Sequence, residues 1–358
     1  MKGRGMGVDS PSPMPRLGEG WDEIERCYCM IAYIVRRLIL AIVTSWAITV
    51  LSFLIIQLPP GDYVTSYIAM MSSSGNSVTE AEAQALRVQY ALDKPLYIQY
   101  LRWMGLIMQG NFGMAIEWNR PVLDVIGDRL ILTIVISLAA IAFTWALALP
   151  IGIYSAVKRY SIGDYVATFI GFIGLAIPGF MLALIVMYIS FRYFNANVGG
   201  LFSAEMADAP WSWAKFVDLL KHLPIVAIVL GIGGTAQMIR IMRSNLLDEL
   251  RKPYVMTARA RGLSEARVIM KYPVRVALNP FVSTIGYLFP FVISGSIIVS
   301  LVLSLPTVGP LLLKALIAQD VFLAGTIVLL LGVMTVIGTF ISDLLLMWVD
   351  PRIRLGRQ

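Results

Sequence analysis

Residues Leu130–Val157 read LILTIVISLAAIAFTWALALPIGIYSAV, a run without a single charged side chain. A bilayer core about 30 Å thick needs roughly 20 apolar residues in a helix that rises about 1.5 Å per residue. This run meets that length and predicts a transmembrane helix. The whole chain agrees, because 58% of its 358 residues are hydrophobic and only 14% are charged, whereas soluble domains carry about a quarter charged residues.

Other long apolar stretches extend this pattern along the chain. Together they predict an all-α polytopic membrane protein with six transmembrane helices. The fifth span is expected to close near Leu305, because Pro306 and Pro310 follow it and leave a re-entrant or surface loop. The six predicted spans are Leu38–Leu58, Leu130–Val157, Tyr165–Phe191, Leu223–Ile239, a helix within Val276–Leu313, and Val321–Val349.

The distribution of Lys and Arg predicts the orientation of these spans. About two thirds of the 29 basic residues fall in segments that share one side when the spans alternate, and that side includes both termini. Cytosolic loops carry the excess of Lys and Arg, so both termini are predicted to be cytosolic. The net charge of +7 is therefore interpreted as a record of topology rather than of nucleic-acid binding.

Four regions follow from this topology. Residues 1–29 are rich in Gly, Pro and charge and are predicted to be a disordered cytosolic extension that transport does not need. Residues 30–58 carry the first span, and residues 59–129 form a long extracytoplasmic loop region. Residues 130–358 form a five-span permease core that includes a basic cytosolic loop, 244–279.

The outer loop region is predicted to hold two helices of its own. Thr79 and Glu82 fit a capping box that opens the first helix, and the Asp93-Lys94-Pro95 stretch stops it. Tyr100, Leu101 and Met104 then recur at helical spacing, with Trp103 beside them and Ile107 or Met108 continuing the series. This pattern indicates a helix at the membrane interface.

The sequence also limits the energy source. It has no Gly-x-x-x-x-Gly-Lys-Ser/Thr phosphate loop, and Asp343 is the only acidic residue well inside a predicted span. At its depth, Asp343 is expected to pair with an Arg such as Arg240 or Arg243 rather than to relay ions. An active transporter built from this chain needs a motor on another polypeptide, and loop 244–279 is the predicted docking surface for that motor.

Alternative classes of function have less support. An ion-coupled secondary transporter or channel would work without an ATPase, but it normally carries carboxylates or His inside the membrane. A membrane enzyme would need a nucleophile–base or metal-ligand constellation, which the spans lack, so no catalytic or metal-binding residue is predicted. Ser294, Ser296 and Ser300 are candidate residues lining a pathway. Gly171, Gly174 and Pro178 are likewise candidates for a cavity or an irregular backbone. Helix packing is the favoured alternative for both sets, and it is the role expected of Gly231.

The basic loop carries a recognisable motif. Residues Pro253–Glu265 read PYVMTARARGLSE and resemble the cytosolic loop of binding-protein-dependent ABC permeases, in particular the dipeptide/oligopeptide/nickel permease family. Met256-Thr257-Ala258 stands where the general motif has Glu-Ala-Ala, a form similar to the peptide branch. Further resemblances lie at Ile34–Leu38, Pro60–Asp62, Leu92–Pro95, Gly110–Gly113, Arg120–Val122 and Asp350–Arg354.

The resemblance implies a permease of the type I ABC importer kind in a bacterial inner membrane. It implies a second similar permease, one or two ATPase subunits and an extracytoplasmic binding protein as partners, with ATP bound by the ATPase and no cofactor on this chain. Peptides are the expected substrate, and oligosaccharides, opines or nickel are alternatives.

The same resemblance assigns ATPase coupling to a short helix through Val255–Leu263 that ends at Gly262. Gly suits the left-handed conformation of a helix stop. A membrane anchor that contacts lipid headgroups is the alternative reading of the same basic loop. The predicted coupling residues are Tyr254, Val255, Thr257, Ala258, Arg259, Ala260, Arg261, Gly262, Leu263 and Ser264.

Overall fold

The computed structural model describes residues 19–57, 64–65, 68, 71–72, 79–89, 92–115, 117–195 and 198–349; within its helices, side chains are described except at 19–34, 86, 89, 284–295 and 347–349. The chain divides into a small unit that ends at Thr44 and a large unit that begins at Ser45. The described helices are α1 Glu19–Gln57, α2 Glu80–Gln89, α3 Leu96–Met108, α4 Val122–Val157, α5 Ile162–Ala176, α6 Gly179–Phe194, α7 Trp213–Glu249, α8 Pro253–Ala260, α9 Glu265–Lys271, α10 Pro273–Ala277, α11 Asn279–Val302, α12 Val308–Ile317 and α13 Val321–Val349.

Long apolar helices make this a helical membrane protein. Among the described residues, four helices are long and apolar enough to cross a bilayer: α1 over Val35–Ile56, α4, α7, and α13 over Val321–Leu346. Helices α5 and α6 together make a broken fifth candidate. Helix α11 occupies the stretch of the predicted fifth span and ends at Val302, close to the expected end at Leu305.

Helix α1 begins earlier than the hydropathy pattern predicts. It starts at Glu19, so residues 19–29 are helical, whereas the sequence predicts disorder there. Residues 1–18 lie outside the described part of the chain.

The predicted third span is two helices rather than one. Helices α5 and α6 meet at an angle of 100° at residues 177–178. Ile177 has extended backbone (ψ 119°), which is the conformation that a following Pro favours. Pro178 itself precedes the first residue of α6 and lacks the amide hydrogen that would continue the α5 ladder. Uncharged sequence therefore predicted the length of this element but not its break.

Helices α4 and α7 approach each other closely in the core. A Cβ added at Gly231 would lie 2.7 Å from Phe143 Cδ1 and 3.0 Å from the backbone oxygen of Ala140. The hydroxyl of Thr144 donates a hydrogen bond of 3.0 Å to the backbone oxygen of Gly231. The helices approach as closely at Gly152 of α4, where an added Cβ would lie 2.6 Å from Met242 Cβ of α7. Small residues thus allow these backbones to approach, as predicted for Gly231.

Helix α5 packs on the outer side of α7. A Cβ at Gly171 would lie 3.5 Å from Ala236 Cβ, and one at Gly174 would lie 3.6 Å from the backbone oxygen of Ile232. Both distances are ordinary van der Waals contacts. The two glycines therefore serve helix packing, which is the role expected from the sequence.

The capping box at the start of α2 is confirmed. The backbone amide of Thr79 donates to Glu82 Oε2 at 2.9 Å, and the amide of Glu82 donates to Thr79 Oγ1 at 3.3 Å. These hydrogen bonds from Thr79 lower the pKa of Glu82. The box therefore satisfies two amide groups that the helix itself leaves without partners.

Helix α3 packs on α1 through Tyr100 and Trp103, two of the residues that the sequence assigns to a membrane-interface helix. Trp103 is buried and stacks on Phe53 with ring centroids 6.2 Å apart, and the Tyr100 hydroxyl lies 3.0 Å from Thr49 Oγ1. Met104 is half-buried. The exposed apolar stripe instead carries Tyr97, Leu101 and Met108, which share one side of the helix.

This exposed stripe predicts contact with lipid. A fluorophore on Leu101→Cys, in a chain whose Cys27 and Cys29 are replaced by Ser, is expected to be quenched by doxyl-labelled lipid about twofold more than by aqueous iodide. The neighbouring exposed residue on the polar side, in Arg102→Cys, is the matched control and should show the reverse preference. Equal accessibility of both positions to iodide would contradict a lipid-facing stripe.

A short hairpin joins two of the sequence motifs beside α13. Strands β1 (Met114–Ala115) and β2 (Arg120–Pro121) pair antiparallel, and the amide of Val122 donates to the backbone oxygen of Gly113 at 3.1 Å. Gly113 has a φ of +80°, and a Cβ there would lie 2.4 Å from Phe322 Cδ1. The Gly110–Gly113 and Arg120–Val122 motifs are therefore explained by a tight turn packed on the start of α13.

Candidate functional site

Helix α7 leads almost directly into the predicted coupling helix. It ends at Glu249, and the amide of Lys252 donates to the backbone oxygen of Glu249 at 3.1 Å. Lys252 is extended and Pro253 occupies the first turn of α8, where its fixed φ and missing amide hydrogen cost nothing. Only residues 250–252 separate the two helices.

Gly262 closes α8 in the conformation that the sequence predicts. Its φ is +75°, in the left-handed region, and its amide donates to the backbone oxygen of Arg259 at 2.9 Å. A Cβ at this position would have no neighbouring atom within 4 Å. The requirement for Gly is therefore one of backbone conformation and not of space.

Two of the predicted coupling residues attach α8 to the rest of the chain. Val255 and Ala258 are buried and pack with Val268 of α9, and Leu263 and Tyr272 are half-buried against them. The spacing of Val255 and Ala258 places both on the inner side of the helix. In this structure these two residues hold the helix in place and are not part of its exposed side.

Except for the half-buried Leu263, the remaining predicted residues are exposed, and the structure adds Met256 to them. Met256 is a large apolar side chain with 64% of its surface exposed. Sequence reasoning missed it, although at about 100° per residue Met256 points roughly 130° away from the middle of the buried face formed by Val255 and Ala258. We name this surface the docking face; it consists of Tyr254, Met256, Thr257, Arg259, Ala260, Arg261, Gly262 and Ser264.

An ion pair closes the turn beside Gly262. The guanidinium of Arg259 donates to both carboxylate oxygens of Glu265, with Nη2–Oε1 2.6 Å and Nε–Oε2 3.1 Å. These hydrogen bonds lower the pKa of Glu265 and raise that of Arg259. At the other end of α8, the Tyr254 hydroxyl donates to Glu249 and the Lys252 ammonium lies 3.5 Å from the same carboxylate. Both ends of α8 are therefore held by polar contacts.

The pair predicts a small change in local order. Because the pKa of Glu265 is lowered, the pair is intact above the ordinary carboxyl pKa and is lost as the pH falls through the lowered value. Glu265→Gln should mimic the acid state and increase amide exchange in residues 259–265 by about twofold at neutral pH, a modest effect since both groups are exposed. The control is Arg267→Gln, an exposed cation on the same segment. Equal exchange in both variants, measured by mass spectrometry, would contradict a role for the pair.

The basic residues of this segment all face solvent. Their exposure agrees with a surface that meets either a protein or lipid headgroups. The exposed cations are Arg251, Lys252, Arg259, Arg261, Arg267, Lys271 and Arg275.

Two of the serines predicted to line a pathway are buried in the helix bundle. Ser296 and Ser300 are buried, with 7% and 1% of their surfaces exposed, and they lie one turn apart on α11. The side chain of Ser294 lies outside the described residues. Pathway lining by these serines stays a prediction.

Arg243 pairs with an acidic residue other than the expected Asp343. Its guanidinium forms two hydrogen bonds, of 3.0 and 2.9 Å, with the carboxylate of Asp164 at the start of α5. Asp343 was the predicted acid, but the pairing joins α7 to α5 instead. Arg240 lies 5.2 Å above the ring of Phe172, also on α5. Both arginines are therefore directed toward α5.

Comparison with known proteins gives a consistent family. The family described as "Binding-protein-dependent transport system inner membrane component" matches residues 148–355, and its N-terminal membrane-component counterpart matches residues 30–139. The chain is 35% identical to the oligopeptide transport system permease protein AppB of Bacillus subtilis over 90% of this chain and 99% of that protein. It is 32% identical to the dipeptide transport system permease protein DppB of Escherichia coli K12, over 91% of this chain and 99% of the relative. It is 33% identical to the di/tripeptide transport system permease protein DppB of Pseudomonas aeruginosa, over 92% and 100%.

Proposed function

This chain belongs to the family of binding-protein-dependent transport system inner membrane components, and from that premise we propose that it forms one half of the translocation pathway of an ATP-driven peptide importer. It is a multi-pass protein of the inner membrane. Peptides are proposed as substrate because the relatives AppB and DppB are named for oligopeptide, dipeptide and di/tripeptide transport. Oligosaccharides, opines or nickel are the alternatives for the same machine.

The docking face carries this proposal. Its residues project from a helix that is anchored by Val255 and Ala258 and lies three residues beyond α7. An ATPase subunit bound to this face would displace α7 as a rigid body when it changes conformation. ATP hydrolysis on one polypeptide would in this way open and close a pathway in another. The partner surface is expected to offer an apolar pocket for the flexible Met256 side chain and acidic groups near Arg261.

The proposed topology has six spans with both termini in the cytosol. The excess of Lys and Arg around the docking face supports this orientation. Residues 59–129, with helices α2 and α3 and the hairpin, would then lie outside the cytosol, where an extracytoplasmic binding protein delivers substrate. Green fluorescent protein fused to the C-terminus should fluoresce, and alkaline phosphatase fused at the same position should be inactive. The opposite pair of results would mean that the C-terminus lies outside the cytosol.

The assembly is proposed to contain a second, similar permease subunit and one or two ATPase subunits. Purification of the tagged chain from detergent-solubilised native membranes, followed by an ATPase assay, tests this directly. Recovery of a nucleotide-binding subunit and a second permease, with ATPase activity that responds to substitutions at Gly262, supports the proposal. A chain that purifies alone, hydrolyses no ATP and moves solute along an ion gradient would instead be a secondary transporter.

A further inference from the structure

The ion pair between Asp164 and Arg243 is largely enclosed by the surrounding helices. Only 3% of the Asp164 side chain and 28% of the Arg243 side chain are exposed. The guanidinium meets the carboxylate with two parallel hydrogen bonds, Nε–Oδ1 3.0 Å and Nη2–Oδ2 2.9 Å. A two-bond pair of this kind fixes relative orientation as well as distance. It therefore holds α5 and α7 in one register at the end of the bundle nearest the docking face.

The Asp164 carboxylate also holds the turn between α4 and α5. Its Oδ2 accepts a hydrogen bond of 2.9 Å from the backbone amide of Tyr160, which has a positive φ of 61°. The Asp164 amide in turn donates to Ser161 Oγ at 3.2 Å, so Ser161 is the N-cap of α5. One carboxylate thus links the turn, the first turn of α5 and α7.

A series of helix contacts runs from this pair to the end of α5 that is farther from the docking face. Arg243 is six residues before the last residue of α7, about 9 Å along the helix. From Asp164, helix α5 runs beside α7 through Gly171 and Gly174 to the 100° bend at Pro178. At the bend, a Cβ at Gly179 of α6 would lie 3.3 Å from Val299 of α11. A displacement of α7 that carried α5 with it would therefore reach α6 and α11.

We propose that Asp164 and Arg243 are positioning residues that transmit movement of the docking face from α7 to the bent α5–α6 pair. This inference rests on the proposed function, since it assigns a role within ATP-coupled transport. A buried ion pair contributes little net stability compared with apolar packing, and its better-attested role is to specify one arrangement of its helices. Without the pair, α7 would move with the ATPase while α5 lagged behind.

The test uses the complete transporter reconstituted in liposomes, with Asp164→Asn, Arg243→Gln and the charge exchange Asp164→Arg/Arg243→Asp. Each single change is expected to raise the number of ATP molecules hydrolysed per solute transported by about fivefold or more, the lower range of coupling effects. The charge exchange should recover part of the wild-type ratio. Lys158→Gln, at an exposed cation in the same turn, should leave the ratio unchanged.

The amount of ATPase subunit that co-purifies separates coupling from folding. Because Asn keeps the shape of Asp and the guanidinium left behind is partly exposed, Asp164→Asn is expected to assemble normally, and it is the variant that decides the test. If transport and ATP hydrolysis fall in the same proportion, so that the ratio is unchanged, the pair is only structural and the inference is wrong. If the wild-type chain itself binds no ATPase subunit, the proposed function fails, and this outcome is distinct from an unchanged ratio in an assembled complex.

Discussion

Gly262→Pro is expected to reduce coupled transport roughly tenfold or more while the chain remains in the membrane. The native φ of +75° is inaccessible to Pro, whose ring fixes φ near −65°, and Pro also lacks the amide that donates to the Arg259 backbone oxygen. A residue forced into an unsuitable region of this kind costs about 1–3 kcal/mol. The end of α8 and the docking face would therefore be displaced. Transport and ATP hydrolysis in liposomes are the two measurements.

A graded series at Gly262 tests the cause of this effect. Because a Cβ at this position meets no atom within 4 Å, side-chain size alone should not matter. Asn tolerates the left-handed region and should retain most transport, Ala should be intermediate, and β-branched Val should approach Pro. A loss that followed side-chain volume, with Asn as harmful as Val, would show that the partner surface and not the backbone demands Gly. Normal transport by the Pro variant would refute the coupling role of this turn.

Gly231→Ala is expected to lower the thermal stability of the detergent-solubilised protein, by about 1–3 kcal/mol in the free energy of unfolding. The added methyl group would lie 2.7 Å from Phe143 and 3.0 Å from the backbone oxygen of Ala140, and a backbone atom cannot rotate away. Helices α4 and α7 would have to separate, which would weaken the Thr144 hydrogen bond to Gly231.

Gly233→Ala provides the matched control for this prediction. It adds the same methyl group two residues later on the same helix, where no atom lies within 4 Å. It should therefore be neutral or slightly stabilising, because Ala favours a helix over Gly. Thermal unfolding followed by size-exclusion chromatography compares the two variants. Equal losses in both would mean that the helix tolerates no change at this depth and that close approach to α4 is not the cause.

Hydropathy predicted much of this fold because the thickness of a bilayer imposes a length on every span. Helices α4 and α13 lie where the apolar runs Leu130–Val157 and Val321–Val349 predict them. The sequence also predicted local features of helix ends. The capping box at Thr79 and the left-handed turn at Gly262 each depend on residues within one or two turns of the chain.

Side-chain pairing and burial that depend on the neighbouring helix could not be predicted from the sequence. Asp164 pairs with Arg243 across 79 positions in the chain, whereas the sequence suggested Asp343. Val255 and Ala258 are buried although their motif is a surface loop, since α9 covers one side of α8. Trp103 is buried against α1 and not directed to the interface. Each outcome is decided by the neighbouring helix.

The sequence by itself thus determined that this chain is a helical membrane protein, where its apolar helices run, and which short segment resembles a coupling loop. These features follow from hydrophobic length, charge distribution and local backbone preferences, all of which are properties of contiguous residues. Only the tertiary structure decided the 100° break in the third span, the docking face with Met256 at its surface, and the link between α5 and α7. Side chains from distant parts of the chain create these features, and their burial and pairing depend on how the helices pack.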